Sequence, residues 1–155
     1  MQFDAVLVGA GLKHAAIPKA AFDYFNGPTF HTNVALAKRL APVARRLVLS
    51  ATHGLLTEGT TAWHATPSRA GREWAARVEA DLLKLLGKKP RVLALCTEGL
   101  LAWAPAIRAA GGVVEAPIAD LTSSQHRALG RFAETAPRDL IEFRKLAKRV
   151  ARGQA

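Results

Sequence analysis

The chain has 155 residues, the size of one domain, and half of them are hydrophobic, so a buried core can form. The 22 Lys and Arg residues outnumber the 12 Asp and Glu residues, giving a formal net charge of +10. The single cysteine, Cys96, excludes an internal disulfide and a multi-cysteine metal site within one chain. No apolar run reaches the ~18 residues that span a bilayer, so we expect a cytoplasmic protein without a membrane partner. The positive charge favours a polyanionic partner, of which nucleic acid is the usual example.

Four short apolar runs predict the strands of a sheet. They cover residues 5–8, 47–49, 92–95 and 113–118, and the first three are continuous rather than alternating. Continuous apolar runs are typical of strands that are buried on both faces, as in a parallel sheet.

Helical patterns separate and follow these runs, with apolar residues recurring three or four positions apart. Ser68 stands where it can cap the longest predicted helix, and Pro105 predicts a kink or a late start in the next one. The predicted helical segments are residues 33–44, 68–86, 98–110, the later part of 121–131, and 137–152.

The order of strands and helices predicts an α/β fold. We expect a Rossmann-like three-layer sandwich around a mostly parallel sheet of four to five strands. Residues 1–136 are predicted to form this domain. Residues 137–155 are predicted to form a basic amphipathic helix that packs on the domain or extends from it.

Polar residues follow each of the four predicted strands. In an open parallel sheet, ligands bind outside the carboxyl ends of the strands, so these loops are the predicted site. The candidate substrate-binding residues are Gly9, Gly11, Lys13, His14, Ser50, Thr52, Gly54, Thr97, Asp120 and Gln125.

The first of these loops partly matches a dinucleotide-binding fingerprint. Gly9 and Gly11 have the required spacing, but His14 stands where the third glycine would be. Small residues still admit a phosphate or a ring close to the backbone. The alternative is a tight turn with no ligand.

His53 and Glu98 are the candidates for proton transfer. A histidine after a strand can shuttle a proton near neutral pH, although its ring can equally cap a loop carbonyl. Glu98 can act as a base or accept a ribose hydroxyl, or it can satisfy amides at a helix start. A buried, inert Cys96 thiol is favoured over a nucleophile.

Neither a metal nor another cofactor is predicted. The five histidines form no i, i+4 pair and no HExxH motif. A Ser50-His53-Asp120 triad is not favoured, because no GxSxG motif supports it.

Residues 22–30 are dense in aromatic side chains. We expect the phenylalanines to pin this segment to the sheet, while the roles of Asp23 and Tyr24 stay open. Exposed aromatics beside basic residues can also stack nucleobases.

Trp63 and His64 lie in residues 60–67, an irregular segment long enough for a lid.

Two segments resemble motifs of an uncharacterised group of small bacterial and phage proteins. They are Asp-x-Phe-Asn-Gly-Pro-x-Phe at residues 23–30 and Leu-Ser-Ala-Thr-His-Gly-Leu-Leu at residues 49–56. The pattern is similar, more distantly, to the YaaA peroxide-stress proteins and to the amino-acid-transferring domain of archaeosine synthase. The resemblance covers residues 3–132, and it implies an α/β fold and dealings with DNA or modified nucleobases.

The chain departs from this group at the group's reactive positions. The group's Cys-Ser-x-x-Lys after the first strand is replaced by Ala-Gly-Leu-Lys-His at residues 10–14, and a further lysine is replaced by Thr52. The residues that carry over from the group's motifs are Asp23, Ser50, His53 and Gly54.

Two functions are therefore expected. One is an enzyme that modifies or removes a nucleobase in DNA or RNA, with His53 and Glu98 in proton transfer or ribose contacts and Asp23 orienting a partner. The alternative is a non-catalytic module of phage or defence origin that binds nucleic acid, DNA rather than RNA, or a nucleotide. The terminal helix would hold phosphates, or instead dock a protein. Its candidate nucleic-acid-binding residues are Arg144, Lys145, Lys148, Arg149 and Arg152.

Overall fold

The computed structural model describes residues 2–65 and 70–154, and its centre is a five-stranded sheet. A short 3-10 helix at Glu98–Leu100 follows the fourth strand of this sheet in chain order. The other elements, in chain order, are β1 (Ala5–Ala10), β2 (Lys19–Ala20), α1 (Ala21–Tyr24), α2 (Pro28–Leu40), β3 (Arg45–Ser50), β4 (Gly54–Thr57), β5 (Thr61–Ala62), α3 (Arg72–Leu86), β6 (Arg91–Leu95), α4 (Ala104–Ala109), β7 (Val113–Glu115), α5 (Ser123–Gly130) and α6 (Leu140–Ala151).

The sheet has the strand order β4-β3-β1-β6-β7, and all neighbours except β3 and β4 are parallel. The predicted α/β fold with a mostly parallel sheet is confirmed. The antiparallel edge strand β4 adds to the four strands that the apolar runs predict. Gly54, with φ of 74°, lets the chain reverse directly after Ser50 and start this strand.

Helices cover both faces of the sheet, which makes three layers. Val6 and Val8 of β1 belong to a core cluster with α1, α2, α5 and α6. Ala5 and Leu7, which alternate with them, belong to a second cluster with α3 and α4. Burial on both faces explains why the apolar run of this strand is continuous.

The helix boundaries differ from the expected ones for local reasons. α2 begins at Pro28, five residues early, because proline suits the first helical turn. Residues 98–110 divide into the 3-10 helix and α4, which has Pro105 in its first turn. Ser68, the expected cap of α3, lies outside the described residues, and Gly71 occupies the N-cap of that helix.

The terminal helix α6 packs on the sheet side that carries α2 and α5. Phe143, Leu146, Ala147 and Val150 are buried in the same core cluster as Val6. Asp139 caps the helix by accepting a hydrogen bond from the Glu142 amide at 3.0 Å. Within the described ranges, no helix is long and apolar enough to cross a bilayer.

The chain reverses its winding direction between β1 and β6. After β1 it crosses through α2 to β3, and after β4 it returns through α3 to β6 on the other side of β1. Such a switch point is where open α/β sheets form a crevice at the carboxyl ends of their strands. Here Gly9 of β1 lies against Cys96, directly after β6.

Gly9→Ala should destabilise the protein, because a β-carbon there would lie 2.6 Å from the Cys96 β-carbon and 2.9 Å from its α-carbon. Both contacts are far below van der Waals distance, so we expect a loss of about 1–3 kcal/mol. The matched control is Gly11→Ala, because a β-carbon at Gly11 meets no atom within 4 Å. Urea unfolding of both variants measures the difference, and equal stabilities would contradict the close approach of the two strands.

Candidate functional site

The carboxyl ends of β1, β3, β6 and β7 lie on one edge of the sheet, since these four strands are parallel. The four predicted loops therefore share that edge. Among the described residues, three cavities open there, and each has its own chemistry.

The first cavity, the histidine pocket, lies between the loops that follow β1 and β3 and has a volume of about 50 Å³. The His14 and Tyr24 rings stack in parallel with their centroids 4.9 Å apart. The His64 ring lies 5.6 Å from His14, and the His53 ring meets Tyr24 edge-on at 5.9 Å. The residues that line the pocket are Gly11, Leu12, His14, Tyr24, Phe25, Ser50, Thr52, His53, His64 and Ala65.

His53 is held at both ring nitrogens by the protein. Its Nε2 donates to the Trp63 carbonyl at 2.7 Å, so in the neutral ring Nδ1 is free to accept from the Ser50 hydroxyl at 3.4 Å. The buried Ser50 oxygen in turn accepts from the amides of Thr52 and His53, each at 3.2 Å. These bonds order the turn between β3 and β4 and fix the ring as one wall of the histidine pocket.

Tyr24 lies beneath the His14 ring and is 1% exposed. Its hydroxyl oxygen is buried and has no hydrogen-bond partner among the described residues. Buried polar groups in folded proteins are nearly always paired, so this group stands out in the pocket.

The second cavity, the cationic cleft, has a volume of about 300 Å³ and lies between the β1 loop and the start of α2 and α5. Lys13 and Arg127 supply two positive charges, and Thr29 and Ser123 supply two hydroxyls. Among the described residues, none that lines the cleft is acidic. The lining residues are Gly11, Leu12, Lys13, Asn26, Gly27, Pro28, Thr29, Phe30, Ser123 and Arg127.

The start of α2 is shaped to leave its amides available to the cationic cleft. Gly27, the N-cap residue, has φ of 111° and makes no side-chain cap. A β-carbon at Gly27 would come within 3.3 Å of the Lys13 side chain, so glycine also lets Lys13 lie across the helix start. The first turn carries no acidic residue, and the unsatisfied amides there leave a partial positive charge.

A buried polar chain supports the β1 loop from behind. Asn33 of α2 donates through Nδ2 to the Gly9 carbonyl at 3.4 Å. This orientation leaves Asn33 Oδ1 to accept from Nε2 of His126, in α5, at 2.8 Å. Burial lowers the pKa of His126, so the ring is held neutral. The chain links both helices of the cationic cleft to the end of β1.

The third cavity, the mixed-charge pocket, has a volume of about 430 Å³ and lies between the β6 and β7 ends and α6. Glu98 and Asp120 line it together with Arg108, Arg144 and Lys148. Arg144 pairs with Glu115, and Arg108 donates to the Val114 carbonyl at 2.9 Å. Two of the three cations of the mixed-charge pocket thus already interact with groups of the protein itself.

The structure brings some of the predicted residues together and separates others. His14, Ser50, Thr52 and His53 share the histidine pocket, and Gly11 and Lys13 line the cationic cleft. The three candidate catalytic residues do not share a cavity. His53 lines the histidine pocket and Glu98 the mixed-charge pocket, whereas the exposed Asp23 is not among the residues that line these three cavities.

Other candidate substrate-binding residues lie at helix starts or turns, where neighbouring protein groups contact them. Gln125 completes a capping box with Thr122 and donates to the Ala151 carbonyl at 2.8 Å, so both ends of its amide are engaged. Gly54 lies against Arg77, and Thr97 is exposed at the N-cap of the 3-10 helix.

Burial raises the pKa of the Cys96 thiol to about 12, so this side chain is not a thiolate at neutral pH.

The candidate cations of α6 lie in different settings. Arg144 pairs with Glu115, and Lys145 pairs with Glu142 at 2.8 Å. The other three side chains are exposed on the helix or at its end, namely Lys148, Arg149 and Arg152.

Several residues of the site are missed by the sequence analysis. Arg127 and Ser123 enter the cationic cleft from α5, and no motif marks them. Asn33 and His126 pair across 93 positions of the chain, beyond the reach of any local pattern. A usable signal exists only for the start of α5, where Thr122 and Gln125 have capping-box spacing.

Comparison with known proteins identifies no relative of the chain. No family model, no curated protein and no solved structure matches the chain. The resemblance of residues 23–30 and 49–56 to the bacterial and phage group stays a prediction, and the functional argument depends on the geometry of the three cavities.

The buried His126 should make the stability of the protein depend on pH. Its pKa is lowered from 6.5 in the folded state, so the unfolded chain binds the proton more readily. The free energy of unfolding should therefore fall as the pH drops below 6.5, by at most about 1.4 kcal/mol per pH unit. Urea unfolding between pH 7.5 and 5.5 measures this slope.

His126→Gln should flatten that pH dependence, because glutamine can still donate to Asn33 but does not titrate. His31→Gln is the matched control, since His31 is exposed and should leave the slope as it is. A native-like slope in the His126→Gln protein would assign the pH dependence to other groups.

Proposed function

We propose that this protein is a nucleic-acid-binding module that holds a phosphate of a DNA or RNA strand in the cationic cleft. The observation that carries the proposal is the composition of the cleft: two cations, two hydroxyls, an uncapped helix start and, among the described residues, no acidic lining residue. DNA is favoured over RNA as the partner, and a free nucleotide has the same recognition chemistry.

A phosphate fits this cleft for electrostatic reasons. The amides at the start of α2 point their hydrogens out of the helix and carry partial positive charge. Lys13 and Arg127 add full charges from two sides, and the Thr29 and Ser123 hydroxyls can donate hydrogen bonds. The net charge of +10 draws a polyanion toward the protein from a distance.

The base of a nucleotide bound in this way would lie near the histidine pocket. The cleft and the pocket share Gly11 and Leu12, so they open on two sides of one short loop. His14 and His64 are exposed at that pocket, and Trp63 beside it is 58% exposed. Exposed aromatic rings next to a cationic groove are typical of proteins that bind single strands.

The geometry supports binding better than catalysis. His53, Glu98 and Asp23 do not line a common cavity, and both ring nitrogens of His53 are engaged by protein groups. Modification or removal of a base, the enzymatic function that the sequence predicts, stays a prediction with less structural support.

Reversing the charge of the cleft should weaken binding of nucleic acid in a salt-dependent way. The variant Lys13→Glu with Arg127→Glu removes two phosphate contacts, which should reduce the slope of log affinity against log salt by about 1.4–1.8. Fluorescence anisotropy with short single-stranded DNA, duplex DNA and RNA across a salt series measures the slope.

The matched control reverses one lysine and one arginine at the opposite edge of the sheet, as Lys88→Glu with Arg91→Glu. Both residues are exposed, and they lie just before and at the start of β6. This control changes the net charge equally. Equal losses in the two variants would refute a specific role for the cleft, and absence of binding by the native protein at low salt would refute the proposed function.

Trp63 should report directly on the bound strand. Trp74 and Trp103 are buried, so a base that stacks near the histidine pocket should quench only the Trp63 emission. Trp63→Ala should abolish this quenching and weaken binding by about 1–3 kcal/mol, the usual worth of one stacked base. A titration followed by tryptophan emission tests this, and quenching that persists in the variant would place the strand elsewhere.

A further inference from the structure

The Tyr24 hydroxyl is a polar group that the free protein leaves unsatisfied. The residue is 1% exposed, and its oxygen is buried without a partner among the described residues. A folded protein keeps such a group at a cost in stability, because the hydroxyl has lost its water. Tyr24 is also among the residues that line the histidine pocket, so a ligand that enters the pocket comes next to this residue.

The Tyr24 ring is held in place by its neighbours. His14 stacks on its face, and Phe25 and His53 meet it edge-on at 5.1 and 5.9 Å. His14 is itself anchored, since its Nδ1 donates to the Ala15 carbonyl at 2.7 Å. The phenol therefore has little freedom to seek a partner elsewhere, and a partner has to come to it.

The size of the histidine pocket limits what can enter. A volume of about 50 Å³ admits one edge of a planar ring with its substituent, and it is too small for a whole nucleobase. Among the described residues, the lining carries neither a carboxylate nor a Lys or Arg, so the group that enters is a neutral one. A keto or amino edge of a base meets both conditions.

Resting on the proposed function, we propose that the histidine pocket selects unpaired bases, and that the Tyr24 hydroxyl hydrogen-bonds a keto or amino group on the inserted base edge. The strand would be held by its phosphate in the cationic cleft, on the other side of Gly11 and Leu12. A base edge inserted between these aromatic side chains cannot be paired at the same time. The pocket thus favours single strands over duplexes and discriminates among bases.

Tyr24→Phe tests this inference, because it removes the hydroxyl and keeps the ring. The variant should bind single-stranded homo-oligonucleotides about fivefold to tenfold more weakly for the preferred base, the worth of about one hydrogen bond. Its ranking of dT, dC, dA and dG oligonucleotides should flatten. Its affinity for duplex DNA and its salt slope should stay as in the native protein, since the cleft is intact.

The melting temperature of the unliganded variant separates a ligand-binding role from a structural one. Loss of an unsatisfied hydroxyl should leave the melting temperature unchanged or raise it. A lower melting temperature would show that the hydroxyl is already paired in the free protein and would overturn the inference.

The remaining outcomes distinguish this inference from the proposed function. The Lys13→Glu, Arg127→Glu variant serves as the control, because it should have the reduced salt slope predicted above while keeping the native ranking of bases. Binding by the native protein without preference for strand or base, or an unchanged ranking in Tyr24→Phe, would overturn the inference alone. Absence of any binding by the native protein would overturn both proposals.

Discussion

The close approach of β1 to β6 is the constraint on which the site depends. Gly9 lies against the α- and β-carbons of Cys96, which leaves no room for a side chain on the β1 strand at this point. The Gly9 carbonyl accepts from Asn33, and Asn33 accepts from the neutral His126. Through this buried chain, the strand end and the helices α2 and α5 are held in one arrangement. The loop at residues 11–13 then leaves the sheet from a fixed point, with a cavity on either side.

With that loop fixed, three cavities with different lining groups lie along one edge of the sheet among the described residues. The cationic cleft has a helix start and two cations, the histidine pocket has aromatic walls and a neutral hydroxyl, and the mixed-charge pocket has two carboxylates opposite basic side chains. Phosphate prefers the first environment, and a base edge prefers the second. The three cations of the third pocket are matched by its two carboxylates and by Glu115, so under the proposed function a strand would follow the β1 side, where the cleft cations have no acidic neighbour in the lining among the described residues.

The sequence predicted most of the fold and part of the site, for physical reasons that differ. Continuous apolar runs such as 92–95 report burial on both faces, so the strands, their parallel order and the edge at which polar loops gather could be predicted. Which loops share a cavity depends on contacts between distant segments. The pairing of Asn33 with His126 and the entry of Arg127 into the cleft leave no local pattern. For the same reason, the grouping of Glu98 with His53 was a prediction that spacing alone could not test.

Polar groups that satisfy one another and polar groups left without partners carry different information. His53 looks chemically capable in the sequence, yet its nitrogens and the Ser50 hydroxyl complete a closed set of hydrogen bonds that orders a turn. Stabilisation of the turn is therefore enough to account for these two residues, without a role in binding or catalysis. The Tyr24 hydroxyl and the uncapped start of α2 gain nothing from the described residues around them. The buried hydroxyl costs stability and the helix start carries partial positive charge, and both lie beside one loop, which is why our proposals place the ligand there.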